Sequence, residues 1–180
     1  LIGLLTYHRY TGDPAAMAAC VRIADLLART FGEQPGQLNL VLSGSHAGMA
    51  ASSVLEPMVW MYRLTGEVRY LEFCQMVLRR WDGPRGPRLI SDLAAGRGVH
   101  QVGNAKAYEM MSCLNGALEL YRVTGDGQIL KAIRHAWEDI VAQRLYITGT
   151  CSQHEYFHTA HELPNSLQNI AETCVTVTWL

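Results

Sequence analysis

The chain has no surplus of either charge: 15 Lys and Arg stand against 16 Asp and Glu, a formal net charge of −1. That balance excludes the basic stripe a phosphate backbone demands and the acidic run of a solvating tail. No nucleic-acid partner is therefore expected. Long apolar runs are also missing. Val54 to Met61 is broken by Glu56 and Pro57, well short of the roughly 20 apolar residues that a spanning helix needs, so no membrane association is expected either. Cysteines number five and form no CxxC pair, which excludes a disulfide framework.

What remains is ordinary core-forming material, 49% apolar and 17% charged over 180 residues, organised by a repeat. His8-Arg-Tyr-Thr-Gly-Asp13, Tyr62-Arg-Leu-Thr-Gly-Glu67 and Tyr121-Arg-Val-Thr-Gly-Asp126 recur 54 and 59 residues apart. Each Gly follows one apolar-periodic segment and precedes another, the place of a glycine that closes one helix before an acid opens the next. The flanking segments Met49 to Leu64, Tyr70 to Trp81, Met110 to Tyr121 and Ile129 to Val141 carry i, i+3, i+4 apolar spacing, so each turn joins a helical hairpin.

Only the short run Arg144 to Thr148 offers a strand pattern, and Asp82 to Pro87 reads as a loop between hairpins. Hairpins at this period predict an all-α array or toroid whose pairs bury one another's faces. The first residue is Leu1 and the segment to Tyr10 resembles the latter half of a helix, while the last helix runs on to Leu180. The chain is thus expected to be one domain, residues 1–180, truncated at both ends, with localisation and oligomeric state left open. An open toroid exposes apolar edges, so self-association of the 180-residue chain is expected.

Chemistry gathers in the last thirty residues, where Glu155, Leu163-Pro164-Asn165 and Glu172-Thr173-Cys174 crowd acids, imidazoles and a thiol. Cys20, Cys74 and Cys113 lie at helical spacing among apolar residues and read as small buried hydrophobes, leaving Cys151 and Cys174 as functional candidates. Side chains at i and i+2 of a helix point roughly 200° apart. Glu172 and Cys174 can therefore share a ligand only at an irregular helix entry, for which Pro164-Asn165 offers a signal. The same pair also fits a dipole-favoured acid beside a buried thiol.

Several stretches together resemble the catalytic domain of glycoside hydrolase family 127, which includes non-reducing-end β-L-arabinofuranosidases. They are His46-Ala-Gly-Met49, Glu56 to Glu67, Lys106-Ala-Tyr-Glu-Met-Met-Ser112, Tyr146-Ile-Thr-Gly149, Ser152 with Glu155, and Glu172 to Trp179, in the family's order. The resemblance implies an (α/α)6 barrel, in keeping with the hairpin repeat, and an enzyme that cleaves glycosidic bonds of a carbohydrate substrate. It also implies a zinc ion held by one Glu and three Cys, with one of those cysteines as nucleophile and a second Glu as general acid/base.

On that resemblance Glu172 and Cys174 are the first two zinc ligands and Glu155 is the acid/base, while the other two cysteines are expected beyond Leu180. His46, between Gly44 and Gly48, occupies the place of a substrate-contacting histidine, and Lys106, Tyr108 and Glu109 are further candidate contacts. Asn104 departs from the family's usual histidine; an amide still bonds sugar hydroxyls but carries no charge. Trp60 and Trp179 could stack on a sugar or pack in the core. Zinc suits such a donor set because it takes carboxylate and thiolate together and lowers the thiol's pKa.

Two other readings stand beside this one. His154-Glu155-Tyr156-Phe157-His158 spells the HExxH of zinc metallopeptidases, a motif that requires both histidines on one helix face. Gly149 and Pro164 leave little length for that helix, and His161 does not continue the extended spacing. A helical-hairpin array can also bind sugar without cleaving it.

Overall fold

The Thr-Gly-acid repeat builds the same turn three times. In the computed structural model, which describes residues 1–162 and 171–179, Gly12, Gly66 and Gly125 are left-handed, with φ of 70°, 72° and 71°. Each glycine N–H returns to a carbonyl four residues back, on His8, Tyr62 and Tyr121. The threonine before it donates its hydroxyl to the preceding turn, Thr11 to Tyr7, Thr65 to Met61 and Thr124 to Leu120. The same hydroxyl accepts from the backbone N–H of Asp13, Glu67 or Asp126. One short motif thus satisfies groups that a helix end leaves unpaired and starts the next helix.

Three hairpins follow from these turns: α1 (Ile2–Thr11) with α2 (Pro14–Thr30), α3 (Met49–Ser52) continued by α4 (Leu55–Thr65) with α5 (Val68–Trp81), and, after α6 (Leu89–Ala94), α7 (Ala107–Thr124) with α8 (Gly127–Gln143). Helix α9 (Thr173–Trp179) ends the described chain. The expected helix over 49–64 is broken at Ser53 and Val54. Pro57 explains the break, since it has no N–H for the carbonyl of residue 53 and its ring crowds that carbonyl. The short helix α6 carried no sequence signal, and its Leu89 and Leu93 fill the gap beside α8.

Helices α4 and α7 form the inner layer, with α9 packed on α7, while α2, α5 and α8 lie outside. The inner pair runs parallel: His46 just ahead of α3 faces Glu109 in the first turn of α7, and Arg63 near the end of α4 binds Glu119 near the end of α7. Close approach needs Gly116, where a Cβ would lie 2.8 Å from the Glu56 nitrogen and 2.9 Å from Leu55 Cβ. Met49, Leu55, Met58, Met61, Met110 and Leu120 fill the seam. With the turns gathered at one end, the N-terminal ends of α3, α7 and α9 are free to build a site at the other.

The strand pattern over 144–148 is not realised, in keeping with the all-α expectation. Among the described residues there are only isolated bridges, Phe31 with Leu38, Lys106 with Tyr156 and Gln153 with Tyr156. Arg144 instead ends α8 with its side chain buried, and the residues after it turn. No described helix is long and apolar enough to cross a membrane.

Candidate active site

Three helix entries and one loop supply the site. His46 and Ala47 both take left-handed backbone, φ 55°, in the turn that enters α3. Ala105, φ 60°, turns the chain into α7 just after Asn104 and just before Lys106. Glu172 directly precedes α9, and Cys174 is its second residue. The fourth contributor is the connection from α8 to α9, where His154 (φ 48°) and Glu155 (φ 71°) are again left-handed. Non-glycine residues held in that region cost on the order of 1–3 kcal/mol each and persist where surrounding structure fixes them.

Here the surrounding structure is a clasp between this loop and the entry to α7. Ala107 donates its N–H to the Glu155 carbonyl at 2.9 Å, and Phe157 donates to the Ala105 carbonyl at 2.9 Å. The clasp carries Lys106 to the Glu155 carboxylate, to which its ammonium donates a hydrogen bond. The ammonium also lies over the Tyr156 ring, 5.0 Å from its centroid. Burial pulls the Lys106 pKa down, but Glu155, Glu109 and Tyr156 outweigh it and leave it raised. Tyr156 was not among the residues expected from sequence; an aromatic next to an acid is too common a pair to stand out.

From this pair the network spreads to His46, Asn104, Glu109, Glu172 and Cys174, leaving Tyr108 outside it. The Lys106 ammonium beside Glu155 holds that carboxyl below the usual range. Glu155 hydrogen-bonds Glu172, whose own pKa is raised by burial first and by the Glu155 charge second. In this carboxyl pair Glu155 is therefore the first to ionise and Glu172 the last. Glu172 also meets the Cys174 thiol, which burial and the carboxylate keep up. On the far side Asn104 Nδ2 lies 3.2 Å from His46 Nδ1, and His46 Nε2 lies 3.7 Å from Glu109 Oε1. Tyr108 stands on the first turn of α7 with its side chain exposed at 40%.

The donor chemistry suits zinc as far as it goes. Glu172 offers a hard oxygen and Cys174 a soft, exposed sulfur in mutual contact. Among the described residues no group of three or more His, Cys, Asp and Glu converges to hold a metal; the pair alone would supply two of the four ligands that zinc takes in a closed site. Leu163, Pro164 and Asn165 lie outside the described residues, as does Leu180. Glu172 does precede the first turn of α9, the irregular entry that the i, i+2 spacing requires.

The remaining candidates separate clearly. Cys20, Cys74, Cys113 and Cys151 are all buried, and burial pushes the Cys151 thiol up to about 12, which removes it as a nucleophile. Trp60 packs against the core, and Trp179 stacks on Trp137 at 6.4 Å between centroids. The HExxH helix is not formed: 153–156 is a turn, His154 and Glu155 are left-handed, and His158 bonds the Gln153 carbonyl. A peptidase zinc site on one helix face is thereby excluded.

The chain as a whole has known relatives. The model of the β-L-arabinofuranosidase, GH127 catalytic domain matches residues 1–180. The non-reducing end β-L-arabinofuranosidase of Bifidobacterium longum subsp. longum is 24% identical over 197 residues, covering 96% of this chain and 29% of that protein. Among solved structures, a GH127 β-arabinofuranosidase superposes with a TM-score of 0.70 at 26% identity, covering 98% of this chain and 27% of the other. A GH127 β-L-arabinofuranosidase from Geobacillus stearothermophilus T6 does so with a TM-score of 0.70 at 22% identity, covering 96% and 29%. The chain spans less than a third of the length of these relatives.

Proposed function

The chain belongs to the GH127 catalytic-domain family, whose model spans it from residue 1 to residue 180, and on that footing we propose that it is part of the catalytic (α/α)6 barrel of a glycoside hydrolase. The substrate class proposed is a glycan bearing a non-reducing-end β-L-arabinofuranose or a closely related sugar. The observation that carries this reading is the convergence of Glu155, Lys106, Glu172 and Cys174 at one end of the inner helices, with His46, Asn104 and Glu109 alongside.

In this reading Glu155 is the general acid/base. Its ion pair with Lys106 favours the ionised form that takes a proton from water, and the acid half of the cycle needs Glu155 to gain a proton and slacken that pair. His46, Asn104 and Glu109 offer donors and acceptors to sugar hydroxyls, and exposed Tyr108 offers a ring at the rim. Glu172 and Cys174 would hold a zinc ion, which when bound supplies a thiolate at neutral pH. The family resemblance gives the nucleophilic role to a further cysteine, and Cys20, Cys74, Cys113 and Cys151 are all buried.

The test is hydrolysis of an alkyl β-L-arabinofuranoside, whose leaving oxygen needs protonation, by the complete zinc-loaded protein. Glu155→Gln should lower turnover by on the order of 10²–10⁴-fold, and a chelator should abolish it until zinc is restored. Sugar binding without hydrolysis in the complete protein would move the assignment to a carbohydrate-binding barrel. An unaffected Glu155→Gln enzyme would remove Glu155 from the chemistry.

A further inference from the structure

Arg144 is the most fully engaged cation in the described chain, and the proposed chemistry does not use it. Its side chain is 3% exposed. Nη1 donates to Asp139 Oδ1 at 2.5 Å and to the Asp139 carbonyl at 3.3 Å. Nη2 donates to His100 Nδ1 at 2.6 Å, which requires the neutral imidazole protonated at Nε2. Burial and the Arg144 charge both lower the His100 pKa, in keeping with that tautomer. Asp139 Oδ2 accepts from the Val99 N–H at 2.8 Å. A buried pair with this many partners is costly to assemble and needs a reason beyond stability.

The remaining bond supplies one. Nε donates to the His158 carbonyl at 3.0 Å, and His158 lies in the loop that carries Glu155. The loop is closed on itself by His158 Nε2 to the Gln153 carbonyl at 3.0 Å, with the Glu155 turn between these two residues. On its other flank, Phe157 donates to Ala105 and Glu155 accepts from Ala107. The left-handed turn at His154 and Glu155 is therefore held from two sides: from α7 by the backbone clasp, and from the end of α8 by the guanidinium.

We propose that Arg144 is a positioning residue for the acid/base: through the His158 carbonyl it fixes the loop that aims Glu155, with Asp139 and His100 orienting its fork. The chemical part of this rests on Glu155 being the acid/base. Lysine cannot replace the function, because an ammonium keeps the charge beside Asp139 but cannot span Asp139, His100 and His158 together.

Arg144→Lys in the complete protein tests it, with Glu155→Gln in parallel. Amide hydrogen exchange should accelerate about tenfold or more at Phe157 and Ala107, with protection in α4 and α7 unchanged. The kcat/KM, which reports departure of the leaving group, should fall on the order of 10²-fold for an alkyl β-L-arabinofuranoside, whose leaving oxygen needs protonation. A 4-nitrophenyl glycoside, whose leaving group needs little, should be nearly spared. A purely structural role would lower both substrates alike.

Unchanged exchange at Phe157 and Ala107 overturns the proposal, and so does faster exchange with equal loss on both substrates. If Glu155→Gln itself shows no leaving-group selectivity, the acid/base assignment fails, and the exchange data alone then decide whether Arg144 holds the loop. Should Arg144→Lys lose protection in α4 and α7, the double variant Arg144→Gln with Asp139→Asn removes both charges together and is read the same way.

Discussion

Lys106 and Glu155 meet as a hydrogen-bonded ion pair across 49 residues of sequence, each projecting from a strained turn that the other's backbone stabilises. The pair sets the charge of the proposed acid/base. With the ammonium removed, Glu155 keeps its proton to higher pH, because the cation is the largest influence holding it down. Lys106→Met is therefore expected to move the alkaline limb of the pH–kcat/KM profile of the complete enzyme upward. A limb that stays put, or moves down, would show that Lys106 does not set this charge.

The three repeat turns differ in one atom group that matters. Asp13 and Asp126 accept from the N–H two residues on, at 2.8 and 2.9 Å, and so cap α2 and α8. Glu67 has the same extended backbone, φ −73° and ψ 107°, but its longer side chain makes no cap on α5. Glu67→Asp should stabilise the chain by about 0.5–1 kcal/mol, visible as a higher denaturant midpoint. A lower midpoint would show that the Glu67 carboxylate contributes elsewhere.

Two glycines should respond differently to a single methyl group. At Gly66 a Cβ meets nothing within 4 Å, so Gly66→Ala costs only the left-handed backbone, roughly 1–2 kcal/mol. At Gly116 the Cβ meets backbone and Leu55 of α4, so Gly116→Ala must separate the inner helices, at about 1–3 kcal/mol together with altered packing. Near-ultraviolet circular dichroism should change only for Gly116→Ala; a change in both, or in neither, contradicts the packing of α4 on α7.

His100 makes stability pH-dependent. Its folded pKa is lowered from 6.5, by burial and then by Arg144, so below 6.5 the unfolded chain takes a proton that the folded chain refuses. The contribution is complete above 6.5 and is lost as pH falls through that value. Denaturant midpoints at about pH 7.5 and about pH 5.5 should differ in this direction, and His100→Gln should flatten the slope. An unchanged slope in the variant would assign the dependence to other groups.

Helix α1 buries only Leu5, while Ile2, Leu4, Tyr7 and Tyr10 are 39%, 37%, 53% and 82% exposed. The 180-residue chain is expected to self-associate through this face, and sedimentation velocity should show species larger than a monomer. A monodisperse monomer would count against an open barrel edge here.

What the sequence determined by itself is what depends on near neighbours. The Thr-Gly-acid turns and the helices they join are legible because capping and apolar periodicity act within a few residues. The burial of Cys20, Cys74 and Cys113 was readable for the same reason. Candidate site residues came from resemblance rather than from spacing, since a lone His46 or Glu155 is a common surface group.

Only the tertiary structure decided which of those residues meet. Lys106 faces Glu155, and Glu155 faces Glu172, because parallel inner helices bring distant helix entries to one end. The same packing makes Arg144, read from its neighbours as the start of a strand, into a buried clamp on the Glu155 loop. Local preference is weak wherever a buried charge must find partners tens of residues away, and there the desolvation cost of leaving it unpaired settles the conformation.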